Sequence, residues 1–147
     1  MNDAPTLPVL EQLVQRESHS LLQYMSDAFP WTTAKDRDAW TELQRLIAEE
    51  RQGVGALVQF LVRRRHMFPY LGGYPANFTN INFVALEHLL PLLVDHERRA
   101  IAELERDLAQ LSDPEAYSQV QTYLEMKRRH LLSLGALSTA HLEPAVH

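Results

Sequence analysis

The chain contains no cysteine among its 147 residues. This absence excludes disulfide bonds, thiolate catalysis, iron–sulfur clusters and zinc sites with cysteine ligands. Any metal would have to be held by carboxylates and imidazoles. Long apolar runs are missing too, because no segment approaches the roughly 20 residues of a membrane-spanning helix. We therefore expect no membrane association.

Several targeting and catalytic motifs are also missing. Residues 1–8 show neither the basic nor the apolar region of a secretory signal, which predicts a cytoplasmic protein. There is no nucleophile elbow, and Gly72 and Gly73 lack the Lys-Ser/Thr that follows in a phosphate-binding loop. The net charge of -5 argues against a nucleic-acid partner. The basic run over residues 63–66 falls at a predicted helix end, where cations complement the helix dipole.

Four stretches of the chain carry apolar residues at alternating steps of four and three. This spacing is typical of a helix with one buried face. Local capping signals agree, since Thr33 followed by Asp36 three residues later matches a capping box. The sequence predicts one all-α domain over residues 1–147, a size sufficient for a stable core. The predicted helices cover residues 7–28, 34–66, 80–111 and 114–138, with a short tail over 139–147.

Each predicted helix has one charged residue where its apolar stripe calls for leucine. A charge in a protein core costs several kcal/mol, as an order of magnitude, unless it is paired or bound to a metal. Each of these charges also lies near the midpoint of its helix, so antiparallel packing would bring them into one layer. The four residues are Glu17, Glu50, Glu97 and Lys127.

The connections between the predicted helices differ in length. Short loops join the first helix to the second and the third to the fourth, which predicts two antiparallel hairpins. Residues 67–79 form a longer link that could cross about 40 Å when extended. Such a crossover can join two parallel helices along the outside of a bundle. Its aromatic residues are expected to hold it to the surface; they are Phe68, Tyr70, Tyr74 and Phe78.

With these charges and this topology, the sequence resembles the ferritin-like superfamily, and bacterioferritin and rubrerythrin in particular. That superfamily builds a di-iron or di-manganese site from one Glu on each of two helices and a Glu-x-x-His on each of the other two. The resemblance implies that Glu17 and Glu97 are the single glutamates. It also implies that Glu50 and His130 are halves of the two motifs. Tyr24 matches a tyrosine that bacterioferritin-type chains place beside the metals.

Two residues depart from the family pattern. Gly53 stands where one histidine belongs, and Lys127 stands where one glutamate belongs. An ammonium removes a metal ligand and repels a metal ion. We therefore expect no cofactor, a network between Lys127 and the carboxylates, and a structural or small-ligand-binding role for the bundle core. The alternative is an iron- or manganese-binding oxidoreductase with the metal ligands Glu17, Glu50, Glu97 and His130.

Other residues near these stripes leave alternatives open. Gly53 and Gly55 interrupt a helix interior, at about 1 kcal/mol each relative to alanine. The missing side chain at Gly53 indicates either close packing of a neighbouring helix or space for water, Lys127 or a small ligand. His88 and His96 lie off the stripe of their helix and are expected at the surface.

The remaining aromatic residues bear on assembly. Phe29, Trp31, Trp40 and Phe60, together with the crossover, give more apolar surface than four helices of this size readily hide. Ferritin-like bundles often pair along their sides. The sequence therefore predicts a homodimer. A cage is not expected, because the tail over residues 139–147 is short.

Overall fold

The computed structural model describes residues 6–28, 30, 32–64, 73–81 and 84–142. This part of the chain is all-helical and contains no β-strand. Its α-helices are α1 (Thr6–Glu17), α2 (Leu21–Ala28), α3 (Arg37–Arg63), α4 (Leu86–Ala109) and α5 (Pro114–Leu142). Short 3-10 helices over Ala34–Asp36 and Ala76–Ile81 precede α3 and α4. None of these helices has the length and apolar character needed to cross a membrane.

The prediction of one continuous helix over residues 7–28 was wrong, because the chain breaks between α1 and α2. Serine side chains explain the break. The Ser18 hydroxyl donates to the carbonyl of Gln15 at 3.1 Å. The Ser20 hydroxyl accepts the backbone N–H of Gln23 at 3.1 Å and caps the start of α2. Serine thus satisfies backbone groups locally, which competes with helix continuation.

The other predicted boundaries differ less. The third predicted helix begins at Leu86 instead of residue 80, because the chain first forms the 3-10 helix Ala76–Ile81. The last helix continues to Leu142, so the first part of the predicted tail is helical. No proline precedes residue 144 in this tail, and nothing in its sequence stops the helix earlier.

Buried apolar residues form two clusters. One contains α2, the first half of α3, the first half of α4 and Leu134 of α5, and we name it the α2 cluster. The other contains α1, the second half of α3, Ile101 and Leu104 of α4, and the first half of α5, and we name it the α1 cluster. Both α3 and α4 therefore contribute to each cluster, and the boundary between the clusters falls near the middle of these helices.

The C-terminal end of α3 is tied to the start of α5. Asp113 accepts the backbone N–H of Ala116 at 2.9 Å, which caps α5. The same carboxylate accepts a hydrogen bond of 2.8 Å from the Arg64 guanidinium. This guanidinium also lies over the Phe60 ring, 4.7 Å from its centroid. One arginine of the basic run thus has a structural role. Residues 65–72 lie outside the described part of the chain.

The crossover predicted over residues 67–79 is described only from residue 73 onward, so two of its four aromatics lie outside the described residues. The other two, Tyr74 and Phe78, pack against α2. Their ring centroids lie 5.1 Å and 5.5 Å from that of Tyr24. For these two residues, the expectation that aromatics hold the segment to the helices is confirmed.

The aromatic residues that suggested a homodimer are only partly available. Phe60 is 1% exposed and packs inside its own chain, so it adds nothing to an interface. Trp40 is partly buried against the α2 cluster. Phe29 and Trp31 lie outside the described residues. The homodimer stays a prediction, and less exposed apolar surface supports it than the sequence suggested.

Candidate functional site

Four charged side chains meet between the two apolar clusters. The Nζ atom of Lys127 lies 2.6 Å from Oε2 of Glu50, 2.8 Å from Oε1 of Glu97 and 3.0 Å from Oε1 of Glu17. All four residues are at most 3% exposed. The structure thus brings together the four charges that interrupt the predicted stripes. We name Glu17, Glu50, Glu97 and Lys127 the polar layer.

The position of this layer follows from the order of residues along each helix. On α3, Ile47 belongs to the α2 cluster and Val54 belongs to the α1 cluster, with Glu50 between them. The same order holds on α4 around Glu97. Each charge therefore lies about one helical turn from apolar residues on both sides, which keeps it away from solvent.

Glu17 is held by two further groups. The Tyr123 hydroxyl donates to Oε1 of Glu17 at 2.9 Å. The Nε atom of Arg16 lies 3.5 Å from Oε2 of Glu17. Arg16 also forms ion pairs of 2.8 Å with Glu103 and with Asp107, so its charge is shared among three carboxylates.

Glu50 has a partner on each oxygen. Its Oε2 accepts from Lys127, and its Oε1 accepts the Ser20 hydroxyl at 2.5 Å. Ser20 is the residue that caps α2, so the break between α1 and α2 places a hydrogen-bond donor on the polar layer. A continuous helix over this stretch would lack the turn that presents Ser20.

Glu97 is the incompletely paired member of the layer. Its Oε1 contacts Lys127, whereas its buried Oε2 has no hydrogen-bond partner. Burial raises the pKa of Glu97 to about 7, with Lys127 opposing the shift and the negative charges of Glu50 and Glu17 adding to it. Near neutral pH, the carboxyl group of Glu97 is therefore about half protonated.

Lys127 and Tyr123 keep their protons. Burial by itself lowers the pKa of Lys127, but the charges of Glu50 and Glu17 outweigh it and hold this pKa well above its ordinary value. Burial and the charge of Glu17 raise the pKa of Tyr123. Lys127 is thus an ammonium ion and not an amine nucleophile, and Tyr123 is a phenol that donates to Glu17.

His130 and Tyr24 were predicted to belong to the central site. Nε2 of His130 lies 2.9 Å from Oε1 of Glu49, so the imidazole is engaged beside the layer and not by its carboxylates. Burial lowers the pKa of His130, partly offset by Glu49. Tyr24 lies in an aromatic group with Tyr74 and Phe78. The tyrosine that donates to Glu17, Tyr123, was not singled out from the sequence.

Gly53 allows close packing of α3 and α5. A Cβ atom at this position would lie 2.8 Å from Cδ1 and 3.0 Å from Cε1 of Tyr123. Of the two alternatives, close approach is therefore the one that the structure supports, and the space beside Gly53 is filled by a ring. This ring is the one that carries the hydroxyl bonded to Glu17.

A cleft of about 390 Å³ reaches the polar layer from outside. It lies between the α1–α2 break, residues 73–78 and the middle of α4. Glu17, Ser20 and Glu97 belong to its lining. Its apolar wall is formed by Leu21, Leu22, Pro75, Phe78, Leu93 and Ala100. The cleft thus combines apolar surface with charged side chains, namely those of Arg16, Glu17, Glu97, Arg99 and Glu103.

Two histidines also line this cleft, His19 and His96. His96 was expected at the surface, but it is only partly exposed and its ring lies 5.5 Å from that of Phe78. Burial lowers the pKa of His96, and the nearby charge of Arg99 acts in the same direction. His96 is therefore a neutral ring at neutral pH.

The polar layer does not fit a di-metal centre. The three carboxylates converge on the Lys127 ammonium, and His130 is bonded to Glu49 instead. Within the described ranges, no set of three or more histidine, aspartate or glutamate residues is arranged to hold a metal ion. The donor set needed for two divalent ions is incomplete in number, and it already contacts a cation that repels metal ions.

Comparison of the chain with known protein families, curated proteins and solved structures finds no match. The resemblance to the ferritin-like superfamily therefore depends on the residues and contacts of this chain alone.

Proposed function

We propose that this protein is a ferritin-like bundle that binds a small organic molecule, with Lys127 in the place of the metal pair. The observation that carries the proposal is the cleft whose lining includes Glu17 and Glu97. A concave site with apolar walls and a few converging polar groups is the usual form of a small-molecule site. Here the polar groups are already fixed by the layer behind them.

The ferritin-like topology is supported by the order in which the helices meet the two clusters. α3 passes from the α2 cluster to the α1 cluster, and α4 passes in the same direction. Two consecutive helices with this order need a connection that returns along the bundle. Residues 64–85 link α3 to α4 in the chain, and a link of this length agrees with two hairpins joined by a crossover.

A ligand role has more support than the alternative, an iron- or manganese-binding oxidoreductase. A metal at the layer would require Lys127 to leave three carboxylates that it contacts at 2.6 to 3.0 Å. It would also require His130 to turn away from Glu49. The ammonium of Lys127 has three donors and faces three carboxylates, so a metal is not needed to explain why these carboxylates are buried together.

A second cleft, of about 440 Å³, lies on the other side of the α1–α2 break. Its lining includes Ser18, Gln23 and Arg51, but no residue of the polar layer. It therefore lacks the fixed buried charges that would give a small ligand a defined orientation. This contrast favours the first cleft as the binding site.

Filling the cleft tests the proposal. Ala100 lines the cleft, whereas Ala102 lies two residues further along α4 on an exposed face. A library of small organic fragments is screened by ligand-observed NMR against the parent protein, Ala100→Trp and Ala102→Trp. We expect fragments that compete with one another on the parent, lose binding to Ala100→Trp and keep binding to Ala102→Trp.

Two results would contradict the proposal that this cleft binds a ligand. One is a parent protein that binds none of the fragments. The other is a set of binders that Ala100→Trp leaves unaffected although both variants remain folded by circular dichroism. In the second case the binding site lies elsewhere on the protein.

A further inference from the structure

The polar layer contains more negative than positive charge. Three carboxylates share the single ammonium of Lys127. The other nearby cation, Arg16, is already engaged by Glu103 and Asp107. A further hydrogen-bond donor with positive charge would therefore stabilise these buried carboxylates.

The carboxylate that lacks a hydrogen-bond partner is that of Glu97. This residue is 3% exposed, its Oε2 has no hydrogen-bond partner, and it forms part of the cleft lining. An unsatisfied buried oxygen costs about 1 to 3 kcal/mol, and more when it is charged. A hydrogen-bond donor brought by a ligand would satisfy this oxygen.

We propose that the cleft binds a small primary amine, with its ammonium group paired to Glu97 and its apolar body on the wall formed by Leu21, Leu22 and Phe78. This assignment depends on the proposed function, since it names the class of molecule that the cleft takes. Because the free oxygen of Glu97 is buried, the side chain has to turn toward the cleft to meet the ligand, and the head group must be small. A primary ammonium is small and has three donors.

The charges around the cleft argue against an anionic ligand. A carboxylate placed beside Glu17 and Glu97 would be repelled by both. Arg16 also lines the cleft, but its charge is held by ion pairs of 2.8 Å with Glu103 and Asp107. His96 does not offset this repulsion, because its lowered pKa leaves the ring neutral. Arg99 is exposed and therefore contributes little through solvent.

Four probes with the same phenyl body separate the possible head groups. Benzylamine supplies charge and N–H donors, benzyl alcohol supplies a donor without charge, and benzyltrimethylammonium supplies charge without donors. Benzoate reverses the charge. We expect benzylamine to bind the parent protein about ten-fold or more tightly than each of the other three, as for one charge-assisted hydrogen bond. Affinities are measured by NMR titration.

Matched variants on α4 assign the effect to Glu97. Glu97→Gln keeps the shape of the side chain and removes its charge, so it should abolish the preference for benzylamine over benzyl alcohol. Glu105→Gln removes the same charge from an exposed position outside the cleft and should retain the preference. Circular dichroism of both variants verifies that the fold is kept.

The outcomes separate this inference from the proposed function. If benzoate or benzyl alcohol binds at least as well as benzylamine, and Ala100→Trp abolishes that binding, the cleft is a ligand site but the amine assignment is wrong. Equal binding of benzylamine and benzyltrimethylammonium would contradict the hydrogen bond to Glu97. A preference for benzylamine that survives Glu97→Gln would do the same. If none of the probes binds and fragment screening also fails, the proposed function itself is wrong.

Discussion

The polar layer and the two apolar clusters are built on the same helices but are stabilised in different ways. In the clusters, leucine-rich faces gain stability from buried area, and a residue can be exchanged for another of similar volume at modest cost. In the layer, each charge depends on a particular partner, as Glu50 depends on Lys127 and Ser20. The clusters therefore depend on buried area and volume, whereas the layer depends on particular pairs of residues.

A smaller difference within the layer matters for function. Both oxygens of Glu50 have partners, but one oxygen of Glu97 has none. Glu97 is also the one of these two residues that lines the cleft. A fully paired carboxylate stabilises the fold, and an incompletely paired one leaves an interaction open for a proton or a ligand.

The largest expected effect is that of Lys127→Met. This change leaves three carboxylates buried together and should lower the free energy of unfolding by about 3 to 5 kcal/mol near pH 7. Leu124→Ala, in the α1 cluster on the same helix, should cost about 2 to 5 kcal/mol through a cavity. Urea denaturation followed by circular dichroism at several pH values measures both.

The two losses should differ in their pH dependence. Without Lys127, the carboxylates of the layer take up protons more readily in the folded state, so the loss in Lys127→Met should shrink as the pH falls. The loss in Leu124→Ala should stay constant. A loss at Lys127 that is equally independent of pH would mean that its ammonium does not neutralise the layer.

Glu97→Gln should have the next largest effect on the free energy of unfolding, and this effect should grow as the pH rises. The folded protein holds a proton on Glu97 up to a pKa of about 7, whereas the ordinary value is 4.5. The proton on Glu97 thus contributes stability that is fully present below the ordinary pKa and is lost as the pH rises through 7. This loss amounts to about 3 kcal/mol at most. Glutamine does not ionise, so the stability of the variant relative to the parent should increase from pH 5 to pH 8.

The control for this measurement is Glu105→Gln, which removes an exposed charge from the same helix. Its stability relative to the parent should change little over the same range. If Glu97→Gln behaves like this control, Glu97 is ionised throughout the range and the layer tolerates three negative charges.

The smallest changes in stability are expected at the two glycines of α3, and the changes at these two positions should have opposite signs. Gly53→Ala places a methyl group against the buried ring of Tyr123, which should destabilise the fold by about 1 to 3 kcal/mol. Gly55→Ala meets no atom within 4 Å and should stabilise it by about 0.5 to 1 kcal/mol. Thermal unfolding of the two variants side by side measures this difference. Equal shifts would contradict the close packing at Gly53.

Apart from the break between α1 and α2, the helices could be predicted from the sequence, and so could the four charges of the layer. A strongly periodic stripe shows which residues face inward, so a charge within it is visible by counting, as at Glu50 and Lys127. Matching depth along each helix then suggests that these charges meet. Both inferences use spacing within one helix and depend little on the details of packing.

The partners of the charges could not be predicted in the same way. Ser20 reaches Glu50 only because the helix breaks before it, and that break depends on local serine hydrogen bonds. Tyr123 lies four residues before Lys127, which is a usable signal, but its hydroxyl reaches Glu17 because Gly53 makes room for its ring. The rotamer of His130, turned to Glu49, depends on a residue of another helix.

The central proposal is that the Lys127 ammonium takes the place that a metal ion has in ferritin-like bundles. The most direct test is the metal content of protein produced with added iron and manganese and purified without chelator, with Lys127→Glu prepared in parallel. We expect no stoichiometric metal in the parent. Lys127→Glu, which replaces the cation by a fourth carboxylate, should gain divalent-metal binding. About one tightly held iron or manganese ion per parent chain would contradict the account and favour the oxidoreductase alternative.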